Sequence, residues 1–418
     1  MFGVEPNPDK NVFGVKTGEV EQAEKPIKKE KRFSKKFLII LFSLVVVFGA
    51  GAGVAGYFLF GKTEEKEQLF VKKPEKAEEK EAIYSPLTGI EISDAGLVSS
   101  PTYCVQVPNG LDGARPQAGL SGAGVVFEAI AEAGITRFAA IFQNPKVGVI
   151  GPVRSLRIYY LDWDTPFGCT IVHAGGAANA LQALAAGGYR DLTENYSYMW
   201  RGSTLNRAWN NLFTSNRDIT QFNADGGYMS SEVKGFVRET PKNAENERVE
   251  KLATNPLDID TKTEGSVKEV VPKVTNIDFR FGGVPSFNPV YTYNLETNSY
   301  DRAYESGERH VVYDCPDGIG EVSPEYSCGE AKQLSPKVVI GMIVSEGKDT
   351  DNYHERITTI GAGKAYIFQN GDVVEGTWEK ASRESQIVFK DGSGVEVKLV
   401  PGQTFVSAIP NYGSVEYN

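Results

Sequence analysis

The chain has 418 residues, of which 41% are hydrophobic and 23% are charged, and its formal net charge is −10. This length allows two or three domains, each with a hydrophobic core of its own. Phosphate binding requires clustered Lys and Arg, and such clusters occur here only in the N-terminal segment. The composition therefore excludes nucleic acid as the main partner of the folded part.

An apolar run over residues 37–60 predicts a transmembrane helix. As a helix this uncharged run would be about 36 Å long, more than the ~30 Å hydrocarbon core of a bilayer. Residues 25–36 before it carry seven Lys and Arg, whereas residues 61–73 after it carry four, mixed with glutamates. The positive-inside rule places the basic, disordered segment 1–36 in the cytoplasm and the rest of the chain outside. A cleaved signal peptide is the alternative, and the length of the run argues against it.

Two further features of this region bear on partners. Gly49 and Gly53 lie four residues apart in the apolar run, a spacing that can pair two such helices in a homodimer. Residues 61–83 alternate Lys and Glu and predict a charged, solvated tether. We therefore expect a single-pass cell-membrane protein whose C-terminal domains lie outside the cytoplasm.

Residues 84–241 alternate between two kinds of pattern. The runs YCVQV, GVVFEAI, RFAAIF and CTIVHA predict strands, and GYRDL starts another. PVRSLRIYYLDWD predicts a helix with Pro152 at its first position, and AANALQALAAGG predicts a helix closed by glycines. Strands interleaved with helices indicate a layered α/β sandwich.

The C-terminal part of the chain has a different composition. Residues 242–275 are polar and predict a linker, whereas residues 276–418 predict a β-rich α+β domain with strands such as KVVIGMIV, KAYIFQ and TFVSAI. Asn370-Gly371 and Asp391-Gly392 each lie between two such runs and predict hairpin turns.

Four cysteines are present, and none has the spacing of a zinc site, so no metal or cofactor is predicted. Cys315 and Cys328 bracket a loop rich in Pro, Gly and Ser, where a disulfide outside the cytoplasm would contribute about 3 kcal/mol. Cys104 and Cys169 lie in short apolar runs and are either a bonded pair or two buried thiols.

Arg154 and Arg157 form the first candidate binding feature, in the string GPVRSLR. Three residues apart on a helix, they would share one face and clamp a carboxylate or a phosphate. The alternative is that they are surface arginines paired with acidic neighbours such as Asp162 or Asp164.

Glu128 and Glu132 form the second candidate feature, in FEAIAEAGITRF. Their spacing puts them on one face of a helix or on one side of a strand, and paired carboxylates can perform acid–base catalysis. The alternative is structural, in which they neutralise Arg137 or the two arginines described above.

His173, Gly175 and Gly176 form the third candidate feature, where a strand meets a helix in TIVHAGGAANAL. Free N–H groups beside an imidazole are typical of anion sites. The alternative is that the glycines only satisfy the steric needs of a tight turn. No nucleophile-elbow or phosphate-loop motif occurs, and Ser155 is the best remaining candidate nucleophile. His310 and His354 lie near acidic residues without forming a recognisable triad.

These strings also carry a family resemblance. SPLTGI, ARPQAGLSGAGVVFEAIAEAGITRF, GPVRSLRIYYLDW, VHAGGAANAL, YDRAYESGERH and GAGKAYIFQNGDVVEGTW resemble, in order and spacing, the YerB-like family of bacterial envelope lipoproteins, domain of unknown function 3048. The resemblance covers residues 85–216 and 276–410. It implies an α/β first domain and a β-rich second domain outside the membrane, and it implies no established reaction.

The family's recurrent positions fall on ten residues of this chain: Arg115, Glu128, Glu132, Arg137, Arg154, Arg157, His173, Gly175, Gly176 and His310. Two departures stand out. Members usually carry a lipobox cysteine near the N-terminus, and here an apolar helix is predicted instead. Members often have a serine and a histidine where this chain has Ala177 and Asn210, so a mechanism that needs those groups could not operate here.

The sequence thus predicts a membrane-anchored extracytoplasmic binding or regulatory protein of the bacterial envelope. A cleft holding Arg154, Arg157, His173 and the Gly175-Gly176 turn would recognise an anionic ligand, a cell-wall component or a partner protein. The alternative is a peptidoglycan-type hydrolase or transferase that uses Glu128 or Glu132 with His173.

Overall fold

The computed structural model of the protein describes residues 82–202, 210–254, 272–316 and 328–418. All of them belong to one compact unit, Lys80–Asn418. The predicted transmembrane helix, the cytoplasmic segment, the glycine pair and nearly all of the tether lie outside the described residues. Within the described ranges, no helix is long and apolar enough to cross a membrane.

Strands dominate this part of the chain. In chain order they are β1 Ile83–Tyr84, β2 Glu91–Ile92, β3 Thr102–Pro108, β4 Gln117–Ala118, β5 Val125–Glu132, β6 Ile135–Gln143, β7 Val149–Ile150, β8 Thr170–His173, β9 Arg190–Thr193, β10 Met199–Arg201, β11 Leu212–Ser215, β12 Asn276–Arg280, β13 Pro289–Asn294, β14 Ser299–Tyr304, β15 Val311–Tyr313, β16 Lys332–Gln333, β17 Val338–Val344, β18 Glu346–Lys348, β19 Glu355–Ile357, β20 Gly361–Gln369, β21 Asp372–Lys380, β22 Val388–Asp391, β23 Thr404–Pro410 and β24 Ser414–Tyr417. The predicted strand in GYRDL is therefore confirmed as β9.

The α-helices of the described residues are few and short: α1 Ile158–Asp164, α2 Ala178–Ala185, α3 Asn216–Asp225 and α4 Pro241–Thr254. Helix α4 falls in the segment predicted as a linker. The prediction that a helix begins at Pro152 is wrong, because Arg157 is extended, with φ −119° and ψ 149°, and α1 begins only after it. Arg154 and Arg157 therefore do not share a helix face.

The backbone before α1 has other hydrogen-bond partners, which explains this difference. The Arg154 N–H donates to Gln106 O, and the Leu156 N–H donates to Gly175 O at 2.9 Å. Leu156 also forms a parallel bridge with Gly176. The segment is thus held as extended chain against its neighbours, and the helical propensity of its side chains is overridden.

A mixed sheet of ten strands forms the centre of the molecule, in the order β22-β21-β20-β17-β23-β5-β6-β3-β8-β9. Its two halves come from the two segments separated in the sequence, and they join where β23 runs parallel to β5, with Ser407 opposite Glu128. The fold is β-rich with few helices in the described residues, and the predicted α/β sandwich is not a separate layer structure, because its long strands share the central sheet with the C-terminal segment. The exact domain boundaries drawn from the sequence stay a prediction.

Apolar side chains cover both faces of the central sheet. On one face, Trp163 of α1 stacks on Phe127 of β5 with ring centroids 5.3 Å apart. On the other face, the sheet β14-β13-β12-β24 packs against the C-terminal half through contacts such as Phe279 with Phe368. Burying a side chain of this size contributes about 1.5–3 kcal/mol, and the two cores fix the strands that carry the polar residues described below.

Both cysteine pairs are disulfides. Cys104 of β3 is bonded to Cys169, which precedes the parallel neighbour strand β8, and their Cα atoms are 5.7 Å apart. Cys315 is bonded to Cys328. The sequence left the first pair open because it did not show that β3 and β8 are neighbours.

The two predicted hairpin turns differ in outcome. Asn370-Gly371 connects β20 to β21 in a two-residue turn, with φ +57° and +68°, as predicted. The turn after β22 is longer than predicted, since the Gly394 N–H donates to Asp391 O and the bridge beyond it joins Lys390 to Glu396.

Candidate functional site

A cleft of about 430 Å³ lies beside the end of β3 and the β5–β6 hairpin. We call it the Arg137 cleft and define it by the residues that border it: Pro108, Asn109, Gly110, Leu111, Asp112, Glu132, Ile135, Thr136, Arg137, Arg154, Asn210 and Phe287. Three residues singled out in the sequence, Glu132, Arg137 and Arg154, thus meet at one cavity. Its volume is in the range of about 300–1,000 Å³ that is typical of small-molecule sites.

Glu132 and Arg137, which border the cleft, form a cluster of three charged groups with Arg157, which does not border it. Glu132 Oε1 accepts from Arg137 Nη2 at 2.9 Å, and Glu132 Oε2 accepts from Arg157 Nη2. The two arginine residues are almost buried, at 3% and 5% exposure. Two positive charges therefore share one carboxylate, and the cluster has one net positive charge.

The protein backbone holds these arginines in place. Arg137 Nη1 donates to Ser155 O at 2.6 Å, and Arg157 Nη1 donates to Leu156 O at 3.2 Å. Burial, followed by the positive charge of Arg157, lowers the pKa of Arg137. The Nε atoms of both arginines have no hydrogen-bond partner among the described residues. Backbone carbonyls thus position both guanidiniums, and the single carboxylate of Glu132 compensates only one of the two positive charges.

Glu128 lies on the opposite face of β5 from this cluster. A bulge between Ile130 and Glu132 shifts the register of β5 against β6. Successive side chains of a strand alternate in direction, so one extra residue turns Glu132 to the face that carries Arg137. The expectation that Glu128 and Glu132 share one side of a strand is wrong for this reason.

Glu128 takes part in a buried ion pair with Arg302 of β14. Arg302 Nη2 donates to both carboxylate oxygens at 2.9 and 2.8 Å, and neither side chain is exposed. Thr136 Oγ1 and Ser407 Oγ also donate to this carboxylate. Glu128 does not border the Arg137 cleft, and its hydrogen-bonding capacity is committed to this internal network.

His310 and Arg115 belong to the same network below the cleft. His310 Nε2 faces Gln117 Oε1 at 3.0 Å, and its Nδ1 faces Arg302 Nη1. Burial, and then the charges of Arg302 and Arg115, keep the pKa of His310 well below its usual value. The neutral imidazole thus donates through Nε2 and accepts through Nδ1, which is a structural role.

Asn109 connects this network to the cleft. Asn109 Oδ1 accepts from Arg115 Nε at 2.9 Å and from Tyr304 Oη at 2.7 Å, while its Nδ2 donates to Thr136 Oγ1 at 2.7 Å. Arg115 stacks on the Tyr304 ring, 3.6 Å from the centroid. Asn109 and Thr136, the polar residues on this side of the cleft, are therefore held by hydrogen bonds that partly come from residues of the C-terminal half.

Asn210 borders the cleft from the start of the segment leading into β11. It is 1% exposed, and its Nδ2 donates to Asp112 O at 3.1 Å. Its Oδ1 is buried and has no hydrogen-bond partner among the residues that the structure describes. Such unsatisfied buried acceptors are rare in native proteins, so this oxygen is a candidate contact for a ligand.

His173, Gly175 and Gly176 are not among the residues that border the cleft. His173 Nδ1 faces Gly175 O at 2.7 Å, and Nε2 faces Asp191 Oδ1 at 2.9 Å. Gly175 has φ +65°, which glycine adopts without strain, and a Cβ on Gly176 would lie 3.1 Å from Leu156 O. Backbone hydrogen bonds join this turn to Leu156 in the segment before α1, and the imidazole contacts the turn and Asp191. These contacts agree with the interpretation that the two glycines satisfy steric needs.

A second cavity, of about 350 Å³, adjoins the turn of the β5–β6 hairpin and is bordered by Glu346, Lys348, Glu355 and Tyr412, among others. Tyr412 Oη donates to Glu346 Oε1 at 3.0 Å. Burial, and then the negative charge of Glu355, raise the pKa of Glu346 to about 7. The proximity of Glu346 and Glu355 was not predicted from the sequence, since it depends on the pairing of β18 with β19.

Two family models match this chain, the N-terminal domain of a protein of unknown function (DUF3048) over residues 87–229 and its C-terminal domain over residues 277–406. The chain belongs to the YerB-like family. It is 27% identical over 363 residues to a Bacillus subtilis (strain 168) protein named "Putative lipoprotein YerB", covering 85% of this chain and 92% of that relative.

The fold of the family is represented by a crystal structure of YerB protein from Bacillus subtilis. The two structures are similar with a TM-score of 0.61 at 24% sequence identity, over 80% of this chain and 99% of that chain. This likeness shows that the two proteins share a β-rich fold.

Proposed function

We propose that this protein is a membrane-anchored, extracytoplasmic binding or regulatory protein of the bacterial envelope, and that its Arg137 cleft recognises a carboxylate ligand. The observation that carries the proposal is the buried Arg137–Glu132 pair at the border of the cleft, because Glu132 also pairs with a second buried arginine, Arg157, which does not border the cleft itself. A ligand carboxylate would compensate the remaining positive charge in surroundings where charges interact strongly.

Arg154 strengthens this interpretation from another side of the cleft. Its backbone is held between Gln106 and Ala174, so its side chain starts from a fixed position. The acidic residue Asp112 also borders the cleft but is exposed, so water weakens its effect on an anion inside.

Three features support a location outside the cytoplasm. The relative from Bacillus subtilis is named as a lipoprotein. Residues 37–60 have the length and composition of a membrane anchor. The two disulfides suit an oxidising compartment, because reducing conditions in the cytoplasm disfavour them.

Calorimetric titration of the full-length chain in non-ionic detergent tests the proposal. The two titrants are N-acetyl-alanyl-alanine, which has a free carboxylate, and the same compound with a C-terminal amide. The acid should bind and the amide should not. Arg154→Ala should weaken binding of the acid about tenfold or more, since hydrogen bonds to charged groups are the strong ones.

A matched control is Arg217→Ala, because Arg217 is 63% exposed on α3 and does not border the cleft. This variant should bind the acid with wild-type affinity. Equal binding of acid and amide, or no effect of Arg154→Ala, would show that the cleft does not recognise a carboxylate.

A further inference from the structure

We infer that the ligand of the Arg137 cleft is the carboxyl end of a peptide, whose last amide N–H donates to Oδ1 of Asn210. This inference rests on the proposed function, and it adds a second recognition group to the carboxylate. It depends on which atoms of the Asn210 side chain have hydrogen-bond partners, on the burial of that side chain and on the apolar residues that border the cleft.

The orientation of the Asn210 amide is fixed by its neighbour. Only the NH₂ group can donate to the carbonyl oxygen of Asp112, which lies 3.1 Å away. The opposite atom must therefore be the oxygen, an acceptor. This acceptor is buried and has no partner within the described part of the chain.

An unsatisfied acceptor at the border of a cavity selects for a donor in the ligand. Leaving it unpaired costs free energy in every complex that does not supply an N–H or an O–H. A simple carboxylate, which only accepts, would satisfy the arginines and leave Asn210 unpaired. The site therefore favours a ligand that carries an acid and a donor on one small framework.

Part of the cleft border is apolar. Leu111, Ile135 and Phe287 supply aliphatic and aromatic surface beside the polar groups. A peptide end presents a carboxylate, an amide N–H and a side chain on adjacent atoms, and so matches all three kinds of surface. A free inorganic anion, even one with an O–H donor such as hydrogen phosphate, has no apolar surface to place against these side chains.

The test compares N-acetyl-alanyl-alanine with its depsipeptide, in which an ester oxygen replaces the last N–H. Both retain the carboxylate. The depsipeptide should bind the wild-type full-length chain about tenfold more weakly, equivalent to ~1.4 kcal/mol. Asn210→Ala should reduce this ratio to about one, whereas Asn211→Ala should leave it at tenfold, because the Asn211 amide donates to Gly202 O and does not border the cleft.

Equal affinities of the two compounds for the wild-type chain would overturn the peptide inference and leave carboxylate recognition standing. A tenfold ratio that persists in Asn210→Ala would assign the N–H contact to another group and overturn it as well. If neither compound binds, both proposals fail. The wild-type comparison needs no variant, so the inference stays testable even if Asn210→Ala does not fold.

Both compounds are measured as L,L and D,D stereoisomers, because protein chain ends carry L residues and cell-wall peptides carry D residues. Binding of either form with the tenfold ratio supports the inference. The preferred handedness then identifies the source of the peptide.

Discussion

Replacing Glu128 by Gln removes the carboxylate that faces the Arg302 guanidinium inside the protein. The two groups form two hydrogen bonds of 2.9 and 2.8 Å, and both side chains are fully buried. The pair joins β5 of the first segment to β14 of the second. We expect this substitution to affect stability first, because Glu128 lies in the core and not in the cleft.

The expected decrease in the free energy of unfolding follows from the burial of the ion pair. Removing one partner of a buried ion pair leaves an uncompensated charge and costs about 3–5 kcal/mol. Glutamine keeps the size of the side chain, so no cavity adds to this cost. Thr136 donates to Oε1 and Ser407 donates to Oε2 of this carboxylate. Glutamine retains one side-chain oxygen, so one of these two hydrogen bonds is lost and its loss adds to the cost of the stranded guanidinium.

Urea unfolding of the full-length chain measures this change, with the denaturant slope checked to be the same in both proteins. Glu308→Gln is the control, because Glu308 pairs with Arg115 but is 47% exposed, and such pairs contribute about 0–1 kcal/mol. Adding Arg302→Met to Glu128→Gln should recover part of the loss, since the stranded charge is then gone.

Two results would refute this reasoning. One is a loss for Glu128→Gln no greater than that of Glu308→Gln. The other is a double variant less stable than Glu128→Gln alone, which would mean that Arg302 stabilises the fold without its partner charge.

Two other predictions concern pH and the disulfides. In the folded protein the pKa of Glu346 is raised to about 7 from the ordinary 4.5, so the folded state retains this proton more strongly and stability should fall as pH rises from about 4.5 to 7. We expect the urea midpoint of the wild type to fall over this pH window and the midpoint of Glu346→Gln to fall less. Glu396→Gln, which replaces an exposed glutamate, should show the same fall as the wild type. An equal fall in Glu346→Gln and the wild type would contradict the raised pKa of Glu346. Replacing both Cys104 and Cys169 by Ala should lower the free energy of unfolding by about 2–5 kcal/mol, and a urea midpoint equal to that of the wild type would show that the bond does not constrain the fold.

Much of the local structure follows from the sequence because local signals determine it. The Asn370-Gly371 pair adopts positive φ at both positions and produces a hairpin wherever two β-like runs flank it. The apolar runs around Cys104 and Glu128 are strands, since alternating or continuous β-branched and aromatic residues favour them. The YerB-like family could also be recognised from short strings such as ARPQ and HAGG.

The site could be predicted only in part. Arg154 and Glu132 were candidates from residue type and spacing and Arg137 from the family resemblance, and the structure brings all three to one cleft. Thr136 and Asn109 were missed, because ordinary polar residues in a strand and a loop have no distinguishing signal. Asn210 was visible only as a departure from the family pattern.

What the sequence by itself determined was the class of each local element, the family and the acidic and basic residue types available for a site. Only the tertiary structure decided which of these groups meet. Arg302 lies 174 residues from Glu128, and no local rule links them. A one-residue bulge separates Glu132 from Glu128, and backbone pairing with the Gly175-Gly176 turn keeps Arg154 and Arg157 out of a helix. Long-range pairing of this kind depends on the energy of the whole packed sheet, to which distant residues contribute as much as neighbours.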